Sequence, residues 1–278
     1  CLWFGIHFEI DELRSVDGRR LEPLSPGWWS VEPGPDFRRA EILMEGAGRL
    51  IGDVEIHIRA SDWYHHGHAE NPEYDAVVLH VVMWNDLDEV HVRTAAGREV
   101  PQLVLLEYVR EGRLEITCGM NAMADVNIPS GESFIRQVLS GKRYARRELG
   151  VDVRCGWLID SFGQHPQMPQ LMSECGFDHH VFQRVMPRGS ASEFYWKGLD
   201  GTELLCHWMP LGYAAFYGLP SNPHRFREAV EQRTALLAEY ARTDNLLALE
   251  GADLTAPGAS LPAMLEAFNE AGGDTELR

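Results

Sequence analysis

The sequence lacks any apolar run of the roughly 18 residues that a membrane-crossing helix needs, and no basic stretch leads into an apolar core near its start. A cytoplasmic protein with no membrane partner is therefore expected. Cysteine is scarce. Cys1, Cys118, Cys155, Cys175 and Cys206 form no C-x-x-C pair, and their odd number argues against a disulfide framework or a zinc knuckle. Reduced, mostly buried thiols are the expectation. Basic residues are outnumbered, 25 Lys and Arg against 42 Asp and Glu, which leaves a formal net charge of -17. A field of that sign repels phosphate backbones, so general nucleic-acid binding is not expected. The first residue is Cys1 rather than methionine, and the chain is expected to be a piece of a longer protein.

What is present is ordinary globular material: 278 residues, 45% hydrophobic and 24% charged, enough for one large or two ordinary domains. The charge is uneven. Residues 1–109 carry 20 acids against 9 bases and seven of the twelve histidines, whereas the remainder carries 22 acids against 16 bases. No Gly/Ser linker marks the change. The composition shift predicts two pieces, 1–109 and 110–278, joined near Val109 and Arg110.

The first piece reads as a strand-rich α+β domain. Arg49–Ile58 alternates apolar and polar residues with a period of two, Ala76–Met83 does so more densely, and Val100–Leu106 closes the segment. Between the first two, Ser61–Asp75 is polar, aromatic and histidine-rich, hence a loop. The second piece alternates strand and helix. Strands are predicted at Arg113–Thr117, Val153–Ile159, Phe177–Phe182, Glu193–Trp196, Glu203–Met209 and Asn245–Leu249. Helices are predicted from Pro129 to about Ser140, from Pro169 to Glu174 and from Pro223 to Tyr240. This alternation is the signature of an α/β fold with a parallel sheet or barrel, whose chemistry sits at the carboxyl ends of the strands.

In the first piece, Glu55 and His57 are two residues apart on a predicted strand and so share a face, where Asp36, after a Gly-Pro turn, could join them. Asp, Glu and a basic group in that order resemble the D…E-x-K metal site of restriction-like nucleases, with His in place of Lys. A polar cluster of structural use is the competing reading. Asp62, His65, His66, His68 and His80 add ligand-type residues around one loop, either as a metal site or as a polar surface loop followed by a sheet histidine. Arg38, Arg39 and Arg59 offer a local patch against the acidic balance. The blocks Pro33–Ile42, Gly52–His68 and Tyr74–Val82 resemble a bacterial family known only as domain of unknown function 2851, which implies no activity.

In the second piece, Asp160 follows the apolar strand Trp157-Leu158-Ile159 and precedes Ser161-Phe162-Gly163-Gln164-His165, the position at which an α/β barrel displays catalytic groups. Residues 110 to about 265 resemble glycoside hydrolase family 38, the zinc-dependent retaining α-mannosidases. The resemblance runs through Gly112–Asp125, Pro129–Tyr144, Gly156–Leu171, Gly176–Arg184, Phe194–Leu205 and His207–Tyr213. It implies a portion of a (β/α)7-type barrel that lacks its first strand, and a mannoside substrate. It implies Asp160 as both nucleophile and zinc ligand. Asp253, in Leu249-Glu250-Gly251-Ala252-Asp253, is implied as the acid/base. Arg184, Tyr213 and Asp125 are implied to face the substrate, each with a structural alternative: a surface ion pair, a packed tyrosine, a helix cap. His165 reads as a structural histidine within the motif. His179 and His180 are adjacent on a strand, so their rings point to opposite faces and do not share a metal.

Two of the family's four zinc ligands come from an H-x-D motif that this sequence lacks; His7-Phe8-Glu9 is the nearest string. The fourth, a histidine well downstream of the acid/base, would lie past Arg278. Asp160 alone does not hold zinc at useful affinity. The sequence therefore predicts a hydrolase segment with an incomplete metal site. An incomplete barrel with an exposed strand edge is also expected to self-associate.

Overall fold

The computed structural model of the chain describes residues 13–30, 32–112, 114–184, 186–187, 189–252 and 260–277. They form two compact units, one of Cys1–Leu114 with Ala256–Arg278, the other of Glu115–Thr255. Both are mixed α/β. Among the described residues, no helix is long and apolar enough to cross a membrane.

The first unit is built on a seven-stranded sheet: β1 (Leu21–Ser25), β2 (Trp28–Trp29), β3 (Phe37–Met44), β4 (Gly48–Arg59), β5 (Val77–Trp84), β6 (His91–Arg93) and β7 (Glu99–Val104). The order is β1-β3-β4-β5-β7-β6, with β2 added beside β3. The pairs β4–β5 and β5–β7 are parallel, and the rest are antiparallel. The β3–β4 hairpin turns through Gly46 and Gly48, both at positive φ. Its register slips between Phe37 and Ala40, where Arg39 sits at φ 58° and donates its backbone N–H to Asp53 Oδ1 at 2.9 Å. This bulge frees Asp36 to turn its carboxylate toward β4.

One face of the sheet buries Leu13, Leu21, Ile42, Val54, Leu79, Val81, Leu103 and Tyr108. A second cluster holds Trp63, Tyr74, Val77, Val92 and Val100. Alternation along β4 puts Val54 into the first core and turns Glu55 and His57 away from it. The segment expected to be a loop, Ser61–Asp75, instead contains a one-turn helix, α1 (Asp62–His65), and a 3-10 turn, Pro72–Tyr74. The buried Trp63 and Tyr74 hold these turns against the sheet, a tertiary contact that local polarity did not reveal. The last predicted strand ends at Val104, and Leu105–Arg110 forms helix α2.

The second unit starts with α3 (Gly131–Tyr144), capped by Ser130 Oγ, which accepts the Ser133 N–H at 3.2 Å. A π-helical turn, Ala145–Leu149, extends α3 and ends at Gly150 in the left-handed conformation. Next come β8 (Cys155–Leu158), α4 (Met168–Glu174), β9 (His179–Phe182), β10 (Glu193–Lys197), β11 (Glu203–Trp208) and α5 (Pro223–Ala238). The sheet order is β10-β11-β9-β8, with β8, β9 and β11 parallel and β10 antiparallel to β11. Its core includes Phe134, Val138, Leu158, Met168, Met172, Phe182 and Leu204. The strand expected at Arg113–Thr117 is absent over 114–117, and residues 245–249 pair with no strand. The second stretch packs by side chains, Leu247 and Leu249, and accepts one backbone bond, from Phe216 N–H to Leu249 O at 2.9 Å. Helix α6 (Leu261–Glu270), not anticipated from the sequence, falls in the first unit.

Candidate functional site

In the second unit, Asp160 lies just past the carboxyl end of β8, and Arg184 lies at the same distance past β9. Because β8 and β9 are parallel neighbours in register, Leu158 against Phe182, the two side chains emerge from one sheet edge. Arg184 Nη2 donates to Asp160 Oδ1, and its guanidinium stacks 4.5 Å from the centroid of Phe162. Asp160 and Phe162 remain substantially exposed. A carboxylate oriented by a guanidinium beside an open aromatic face is placed to act on an electrophilic carbon.

The other residues expected here are placed differently. Tyr213 packs with Trp157, Ile159, Leu247 and Leu249 around buried Cys155, Val181 and Met209. Asp125 Oδ1 accepts the backbone N–H of Asn127 at 3.2 Å, a turn contact. His165 Nδ1 accepts the Gln167 N–H at 3.1 Å, just ahead of α4. His180 is fully buried between Gly156 O and Gln164 Oε1, each 3.3 Å away, and burial pushes its pKa down to about 4. Asp253, with His7 and Glu9, lies outside the described residues. Glu250, three residues earlier, is lifted above the usual carboxylate range by burial.

Zinc is not supported at Asp160. One carboxylate oxygen is already committed to a guanidinium, and a cation there competes with any metal. Among the described residues, the one group of three candidate ligands is His57, His66 and His68, in the first unit.

That group lies within a dense polar cluster. Glu55 and His57 share a face of β4, and β5 runs alongside with His80 opposite Glu55. The turns after α1 bring His66 and His68 over them, with Gly67 at φ 74° between. His57 Nδ1 is 2.9 Å from His80 Nε2, and His57 Nε2 is 3.0 Å from His66 Nδ1. Glu55 Oε1 is 3.2 Å from His68 Nε2 and 3.4 Å from His57 Nε2. Asp36 donates its backbone N–H to Glu55 Oε2 at 3.1 Å, while its own Oδ2 accepts the Ile56 N–H at 2.9 Å. Tyr74 stacks on His68 with ring centroids 3.7 Å apart, and Trp63 flanks both His68 and His80.

Burial sets the protonation states. It lifts Glu55 to about 8, aided by the neighbouring Asp36 charge, and it raises Asp36 as well. Desolvation first, then neighbouring imidazoles, pushes His57 and His68 down to about 4 and His80 to about 3. Asp36, Glu55 and His57 are thus brought together as the strand spacing implied. His66, His68 and His80 join them, whereas the His65 side chain is 71% exposed, and Asp62 Oδ2 accepts the Arg59 backbone N–H at 3.1 Å. The sequence signal for His66 and His68 was the string His65-His66-Gly67-His68 beside Trp63, which does not say which rings face inward. Arg38 donates to Pro33 O at 3.3 Å, and Arg59 stacks on Trp84, so neither points at the cluster.

Two family models match the chain. Residues 98–276 match the model of the glycosyl hydrolases family 38 N-terminal domain, and residues 1–138 match that of a protein of unknown function (DUF2851). An alpha-mannosidase of Saccharomyces cerevisiae is 33% identical over 143 residues, 50% of this chain and 13% of that protein. Alpha-mannosidase 2C1 of Mus musculus is 34% identical over 110 residues, 38% of this chain and 11% of that protein. The crystal structure of an alpha-mannosidase from Enterococcus faecalis V583 superposes with a TM-score of 0.57 at 25% identity, covering 62% of this chain and 20% of that one. The chain therefore spans little more than a tenth of the curated relatives it matches. With a family model covering 98–276, the chain belongs to glycosyl hydrolase family 38 through that family's N-terminal domain.

Proposed function

We propose that residues 110–278 are the nucleophile-bearing segment of a retaining α-mannosidase-type glycoside hydrolase, and that residues 1–109 are a separate domain. The observation that carries this reading is the Asp160–Arg184 pair at the carboxyl ends of adjacent parallel strands, beside the exposed Phe162 ring. The parallel strands β8, β9 and β11 are read as part of a (β/α)7-type barrel. Asp160 attacks the anomeric carbon of a mannoside and forms a glycosyl ester as the bond to the leaving oxygen breaks. The second carboxyl group, assigned to Asp253, protonates that oxygen and then takes a proton from the water that opens the ester. Supporting this, Leu247 and Leu249, just ahead of Asp253, pack in one cluster with Trp157 and Ile159, just ahead of Asp160. Arg184 orients the Asp160 carboxylate through their ion pair. Phe162 offers its face to the sugar ring, Tyr213 braces the strand end, and Asp125 shapes the adjoining turn. The family's zinc would polarise sugar hydroxyls, but the residues around Asp160 do not supply its ligands, and no step is drawn through it.

The test is capture of the ester. Incubating the chain with an activated fluoro-mannosyl fluoride, whose fluorine slows ester hydrolysis, should add one mannosyl group to the peptide containing Asp160. Asp160→Asn should abolish the label. A label on another residue, or none on folded protein, refutes the assignment.

A further inference from the structure

We propose that Glu55, His57, His66 and His68 hold one zinc-class divalent ion in the first unit. This inference stands apart from the hydrolase reading. Four-coordinate zinc with bonds of about 2.0–2.1 Å places neighbouring ligand atoms about 3.3 Å apart, the edge of a tetrahedron of that size. Three of the six edges are already present. His57 Nε2 to His66 Nδ1 is 3.0 Å, His68 Nε2 to Glu55 Oε1 is 3.2 Å, and His57 Nε2 to Glu55 Oε1 is 3.4 Å. The three histidines each offer a ligand atom, all within 4.8 Å of one another. His66 is exposed on the rim and is the ligand free to close onto the ion.

Hydrogen bonding inside the cluster does not satisfy His68. Both ring nitrogens of His68 are buried without a hydrogen-bond partner, because the approach of Nε2 to Glu55 lacks hydrogen-bond alignment. A buried polar atom of that kind is costly unless something else satisfies it. The contact between His57 Nδ1 and His80 Nε2 needs one proton. Placed on His57 Nδ1, it leaves the Nε2 lone pair pointing at Glu55, His66 and His68. Glu55 is buried beside the half-buried Asp36, and a dication there would offset the charge of both carboxylates. Three imidazoles and one carboxylate favour zinc over magnesium or calcium, which prefer all-oxygen sites. The donor set is thus unlike the carboxylate-rich site of the nucleases that the D…E-x-H spacing resembles.

The test uses the full chain, zinc chloride and cobalt chloride. After equilibration and gel filtration, one zinc per chain should remain, and cobalt in its place should show the intense visible bands of four-coordinate nitrogen and oxygen ligation. His68→Ala and Glu55→Gln should weaken zinc binding by about a hundredfold or more, since even residues that only support a ligand are worth about 10–100-fold. His66→Ala, a rim substitution that leaves the core intact, should weaken it too and guards against simple misfolding. Asp160→Asn should retain the full zinc content. Absence of retained zinc and cobalt bands in natively folded chain overturns the site. So does zinc content that is indifferent to the histidine substitutions or lost in Asp160→Asn.

Discussion

Neutralising Glu55 should remove a pH dependence that the metal-free protein otherwise shows. Burial and the Asp36 charge lift the Glu55 carboxyl from its ordinary 4.5 to about 8. The folded state therefore holds this proton more tightly than the unfolded chain does. The stability it contributes is complete below about pH 4.5 and is lost as the pH rises through 8. The histidines act in the opposite sense. With His57 and His68 lowered from 6.5 to about 4 and His80 to about 3, the unfolded chain takes up protons that the folded one refuses. Their contribution is lost on acidification, is regained as the pH rises through 6.5 and is complete by about pH 7.5. Above that pH, Glu55 dominates, with Asp36 shifted in the same direction. Released through a pKa of about 8, the Glu55 proton should cost the first unit about 1.6 kcal/mol between pH 6.5 and pH 8, against which the three histidines regain about 1 kcal/mol. The assay is urea unfolding in chelator at the two pH values, followed by tryptophan fluorescence. The transition of the first unit is identified by its change in Trp63→Phe, since Trp63 is buried against His68 and His80. Glu55→Gln should lack the Glu55 loss, so over this window its stability should change more favourably than that of the unsubstituted protein by about 1.6 kcal/mol. Equal pH responses in the two proteins would refute the argument.

Two further outcomes test the second unit. A Cβ at Gly141 would lie 2.6 Å from Gly119 O and from the Met120 carbonyl carbon, so Gly141→Ala should destabilise that unit by about 2 kcal/mol or more in urea titration. Lys142 is buried, donates to Val153 O at 2.6 Å and Gly176 O at 2.8 Å, and lies over the Phe177 ring. Lys142→Met keeps most of the packing but strands both carbonyls, and it should cost about 2–3 kcal/mol by the same measurement.

The elements with strong local patterns were legible in the chain itself. The period-two run of β4, the apolar β5, the Ser130 and Asn222 starts of α3 and α5, and the strand ahead of Asp160 all follow from alternation and capping. The family resemblance and the convergence of Glu55 with His57 were also legible, because strand geometry alone puts residues two apart on one face. Tertiary structure decided the rest. An apolar stretch becomes a strand only if a partner edge is in reach, so residues 245–249 pack by side chains while the less regular Phe37–Met44 is drawn into a ladder by its hairpin. Burial of Trp63 and Tyr74 converts a polar loop into two turns and sets His66 and His68 above β4. The register of β8 against β9 brings Arg184 to Asp160 from 24 residues away. Spacing along the chain specifies which residues share a face. Only the packing of one element on another specifies which faces meet.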